Sequence, residues 1–170
     1  MNHFHADTAQ SELFTPVGAL PGWTQTMRRA TQAHHTGQWV LALAQYQLAA
    51  AQARGLLRHH LATVTDAEAD ARVCAFVSSH RCLADLQAEG GHPDMGAVTL
   101  AQAHMALLAL VQAHPQSAAW HRAAAWHCRD THAAVLAHWG VHGAHPDLER
   151  ALRAGCLALN AAPRPPSNVH

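Results

Sequence analysis

The 170-residue chain has no lysine and no isoleucine, and only 5% of its residues are aromatic, with a single tyrosine among them. Sheets draw their cores from β-branched and aromatic side chains, so their scarcity excludes a sandwich or a barrel. Much of the 49% hydrophobic share is alanine, the strongest helix former. The composition therefore predicts an all-α protein whose helices approach closely through small side chains. A single domain of this size buries roughly 68–70% of its unfolded surface and needs neither disulfides nor a metal to fold.

An excess of either charge is also missing. Eleven basic residues balance 11 acidic ones, and no basic stripe of the kind nucleic acid demands runs along any segment. The start, MNHFHADTAQSELF, has neither a positive beginning nor an apolar stretch of signal length. No later run approaches the ~18 continuous apolar residues of a membrane span, so no membrane partner is expected and the cytoplasm is the expected compartment. Cys74, Cys82, Cys128 and Cys156 form no CxxC pair, and are expected to be reduced, mostly buried small hydrophobes. Catalytic signatures are lacking as well: there is no G-x-S-x-G elbow, phosphate-binding Gly loop or Rossmann fingerprint, and HWGVH has no Glu in the general-base place of HEXXH. His80 and Cys82, two apart on a helix, point away from one another. The acids Asp66, Glu68 and Asp70 open a helix, where negative charge suits the dipole. The expectation is a protein that is not an enzyme.

The helix breakers, by contrast, are placed regularly. Gly37, then GGHPDM at 90–95, then GAHPDL at 143–148 punctuate segments of helical composition. Gly37 to Gly91 is 54 residues and Gly91 to Ala144 is 53, a repeat period of three copies. Gly after a helix supplies a left-handed cap, and Pro at the first position of the next costs no hydrogen bond. Each copy is thus expected to be an antiparallel helix pair, with helices over 24–35, 38–58, 66–89, 93–113, 117–141 and 146–160 and a capping box TDAE at 65–68. Trp39, Ala42, Leu43, Tyr46, Ala49 and Ala50 make one stripe at helical spacing, and Leu100, Ala103, Leu107, Leu110 and Val111 another. Both are expected in the core. Residues 1–21, broken by Pro16 and Pro21, are expected to be a flexible segment, 22–160 one helical domain, and 161–170 a disordered proline-rich tail.

Gly37, Trp39, Ala42, Tyr46 and Ala49 in GQWVLALAQYQLAA resemble the second half of a tetratricopeptide repeat. The family's small residue seven positions before the turn Gly is matched by Ala30, Ala84 and Ala137, and the second copy keeps Leu83, Ala84, Gly91, Gly96, Leu100 and Ala103. The third copy departs, with Glu149 and Arg153 where small and aromatic residues belong, which points to a shifted register or a capping helix. The period also exceeds the ordinary ~34 residues, so the chain is similar to short bacterial members with longer helices. The resemblance implies three antiparallel pairs in a right-handed superhelical stack. It also implies a scaffold that binds a protein or peptide along a concave groove. Separately from the resemblance, a homodimer is counted among the expected partners. Matched place by place, that groove is lined by Met27, Thr31, His34 and His35, then Arg81, Asp85 and Glu89, then Ala134, His138 and His142.

Seventeen histidines raise a second reading, a transition-metal- or haem-binding accessory protein. Its local candidates are Cys128 with His132 and His138 with His142, each pair four apart and so on one helix face. Zn, Ni or Cu would need further ligands from a neighbouring helix; otherwise these histidines are solvated helix positions. His34, His35, His138 and His142 fall at helix C-termini, which favour cations, so a rim that attracts an acidic peptide more strongly below about pH 6.5 is expected.

Overall fold

The structure, a computed structural model, describes residues 20–58, 64–113 and 118–161. Among them every regular element is a helix: α1 (Pro21–His35), α2 (Trp39–Arg58), α3 (Asp66–Glu89), α4 (Pro93–Ala113), α5 (Ala118–His142) and α6 (Pro146–Ala161). The expected loose ends lie outside the described residues except at their inner edges, where the structure corrects them. Pro21 begins α1, a position whose N–H needs no intrahelical partner, and Leu20 packs against the core. Ala161 closes α6.

Two turns follow one design 54 residues apart. Gly37 and Gly91 adopt φ of +70° and +83°, where an L side chain is strained. The N–H groups of Gln38 and His92 then return to the carbonyls of Ala33 and Gln87, both at 2.8 Å, the Schellman closure that satisfies the last carbonyls of a helix. The Thr65–Glu68 capping box opens α3.

The third turn differs from the expected alignment. Its left-handed residue is Gly143 (φ +91°), one before Ala144, because α5 continues through His142 and the Gly143 N–H still bonds the Trp139 carbonyl at 2.8 Å. Counted from Gly143, Leu148, Leu152 and Gly155 occupy the places that Ala42, Tyr46 and Ala49 occupy after Gly37. Leu148 and Gly155 are buried, whereas Glu149 and Arg153 form an exposed ion pair. Ala30 and Ala84 are fully buried as expected, but Ala137 is exposed and Val135 takes the buried place on α5.

Helices α1 to α5 pack each on the next, α3 also packs on α5, and α6 rests chiefly on α4 while touching α5 lightly. Helix α4, long and apolar enough by composition to pass for a membrane span, has over half of its apolar window buried, because α3, α5 and α6 cover it. One tight crossing is at Gly96: a Cβ there would stand 2.9 Å from both the Ala84 carbonyl oxygen and His138 Cε1. With no slack at that point, Ala84→Leu should cost about 1–3 kcal/mol through overpacking. A denaturant midpoint equal to that of the wild type would mean that α3 and α4 do not meet there.

The cysteines are free, but not as buried as expected. Cys74, Cys82 and Cys128 are half-buried and Cys156 is exposed. Burial raises the first three thiols, Cys128 to about 11. Since the thiolate is the reactive form, thiol titration of the native protein should find one fast group, lost in Cys156→Ser, and three that react only on unfolding. Four equally fast thiols would contradict this packing.

Candidate functional site

Between α3 and α5 lies an open groove of about 620 Å³. Arg81, Asp85 and Glu89 recur every four residues and so share one face of α3; Asp130, Ala134 and His138 do the same on α5, with Ala137 three residues after Ala134 on that face. Leu100 of α4 closes the floor, and Val141 and His142 extend the wall on α5. Helix α1 reaches the rim through His34, whose Nε2–H donates to Glu89 Oε2 at 2.8 Å.

The structure thus gathers Arg81, Asp85, Glu89, Ala134, His138 and His142 around one cavity, with His34 attached through Glu89. His35 is exposed next to the His34 ring, their centroids 6.2 Å apart, and does not line the cavity. Nor does Thr31, which is exposed with its hydroxyl 3.4 Å from the Tyr46 oxygen. Met27 is a correction. It is half-buried against two core clusters with its sulfur accepting from Ser79, because it lies one turn from Trp23 and Ala30 on the buried stripe of α1.

The electrostatics also differ from those expected. Asp130 was missed in the sequence, so the fixed charges lining the groove are three carboxylates, Asp85, Glu89 and Asp130, against the single guanidinium of Arg81. The Asp85 carboxyl titrates above its usual range, chiefly through burial and further through Glu89, while Arg81 opposes the shift. His138 moves the other way from what its helix C-terminus suggests. Burial lowers its pKa, the His142 ring lowers it further, and its Nε2–H is used in donating to the Pro93 carbonyl at 3.0 Å. With its protonated form disfavoured by burial and its Nε2–H already engaged, His138 is less available to an outside carboxylate than an acidic-peptide rim requires. Asp130 is itself held in place, since His127 bridges it to Asp70 with both ring nitrogens at 3.1 Å. Nothing local in the sequence marks that bridge, which joins residues 57 apart.

Of the expected metal ligands, His138 and His142 face the groove with ring centroids 4.5 Å apart. Cys128 packs against the core and His132 lies beside His104 on α4. The four are therefore not brought together, and among the described residues no group of three or more His, Cys, Asp or Glu side chains converges on one point.

Residues 21–167 match the model of a family described as a protein of unknown function, DUF2753. No curated protein and no solved structure matches the chain.

Proposed function

The chain belongs to the DUF2753 family, and we propose that it is a non-catalytic interaction module that receives a segment of a partner protein in the groove between α3 and α5. The observation that carries this reading is the convergence of Arg81, Asp85, Glu89, His138 and His142, from helices far apart in sequence, on one open cavity. In the same reading the helices form three antiparallel pairs in a tetratricopeptide-like right-handed stack, supported by the paired Schellman turns and by the order in which the helices pack. The first helix of each pair then lines the concave side. Three carboxylates against one arginine favour a segment carrying Arg or Lys, since charge complementarity steers encounter and selects partners. The open shape suits a chain segment better than a small substrate, which is normally enclosed on most sides. Thiols held protonated by burial accord with a binding rather than a nucleophilic role.

The test is position-dependent photocrosslinking in the cells that produce the protein. A photoreactive residue at Ala137, exposed and on the groove wall, should give a discrete adduct. The same residue at Gln47, exposed on α2, should not. Equal adducts at both positions, or none at Ala137, would remove the groove from consideration.

A further inference from the structure

On the face of α5 turned away from the groove, two histidines make an arrangement that partner binding does not use. His104 on α4 is 1% exposed, and its Nδ1 stands 2.8 Å from the Thr131 hydroxyl. That hydroxyl is within donating distance of the carbonyls of His127, at 3.3 Å, and Cys128, at 3.1 Å. Its proton therefore goes to the helix backbone and its lone pair meets the ring. Nδ1 of His104 must then carry the ring hydrogen, which leaves Nε2 as a bare lone pair. Among the described residues, Nε2 of His104 and Nδ1 of His132 are both buried without a hydrogen-bond partner, and the two ring centroids are 5.5 Å apart. Both nitrogens face Gly155 on α6, where a Cβ would lie 2.7 Å from the first and 3.3 Å from the second, so a residue larger than glycine would press on them.

Buried polar atoms left without partners are rare and ask for a reason. We propose that His104 Nε2 and His132 Nδ1 form a two-nitrogen site for a monovalent copper ion, beside Gly155. A ligating imidazole typically donates its other N–H to an oxygen that fixes its tautomer, the service Thr131 performs for His104. Zn²⁺ in a closed site requires four ligands, and a doubly charged ion would stand where no carboxylate acts on His104. Imidazole is a suitable ligand for copper, and Cu(I), a d10 ion of single charge, accepts two donors in a near-linear arrangement.

The experiment uses the full chain, purified without an affinity tag, titrated anaerobically with Cu(I) against a chromogenic Cu(I) chelator. One equivalent should be withheld from the chelator, and it should still be withheld in Cys156→Ser, which removes the exposed thiol beside the site, and in His138→Ala with His142→Ala. It should be released in His132→Ala and in Gly155→Ala, and held about 10–100-fold more weakly in Thr131→Val. X-ray absorption of the bound ion should show two nitrogen neighbours and no sulfur. His132 is only half-buried, so His132→Ala is the variant most able to fold. If wild type withholds no Cu(I), a bridging water satisfies the two nitrogens and the proposal fails; it fails equally if His132→Ala withholds as much as wild type or if the absorption spectrum contains sulfur.

Discussion

Acidification from about pH 7 to about pH 4.5 will remove up to about 5 kcal/mol of folding stability, mostly through two buried histidines, His80 and His104. Burial is the first cause in each, pushing both from an ordinary 6.5 to about 4. At His80 the Nδ1–H bond to the Phe76 carbonyl at 2.7 Å favours the cation, but burial outweighs it and Arg54, donating to Nε2 at 3.2 Å, adds to the lowering. The unfolded chain takes up these protons as the pH falls through 6.5, whereas the folded chain resists until about 4. Stability is therefore complete above the unfolded value and is lost across the window between the two. His138, also lowered, adds in the same direction; Asp85, raised, opposes it weakly. Against a total of roughly 5–15 kcal/mol for a domain, this loss brings the protein close to its unfolding midpoint. Denaturant melts followed by far-UV circular dichroism at the two pH values measure it. His80→Gln should flatten the pH dependence by about half, and identical midpoints at both pH values would show that the two imidazoles are not buried as described.

Trp120→Ala should cost about 3–5 kcal/mol, the range for truncating a large core aromatic. Trp120 is 1% exposed at the start of α5, in a cluster with Trp23, Leu57, Phe76, Leu107 and Leu110, so its removal opens a cavity where four other helices converge. Trp39→Ala is the contrast. Trp39 is 46% exposed and touches the His34 ring at 5.2 Å between centroids, so its loss should stay within about 1 kcal/mol. Equal melting of the two variants would be incompatible with this core.

Trp39 also marks where the sequence stops being informative. Its spacing places it in the stripe with Ala42 and Tyr46, but it is the first residue of α2 and stays 46% exposed, with no further helix among the described residues to cover it. The helix limits were legible to within three residues because local chemistry sets them: left-handed glycines, prolines at first positions and the Thr65–Glu68 box. The third turn slipped by one because GAHPDL offers both Gly143 and Ala144, and only the extra residue of α5 decides between them. Groove members Arg81, Asp85 and Glu89 were readable because one face of one helix carries them all. Asp130, the His127 bridge and the His104–His132 pair were not, since each depends on which face of α5 meets which neighbour, a property of packing rather than of spacing.

The central claim, that the groove receives a cationic partner segment, is tested most directly by selecting binders from a random peptide display library on the purified protein. Their affinities are then measured for wild type and for Asp85→Arg with Asp130→Arg. Enriched peptides should carry Arg or Lys at recurring spacing and should lose about tenfold or more in affinity, at least 1.4 kcal/mol, for the charge-reversed protein. Enrichment of acidic peptides, or of peptides that bind both proteins equally well, would contradict the account.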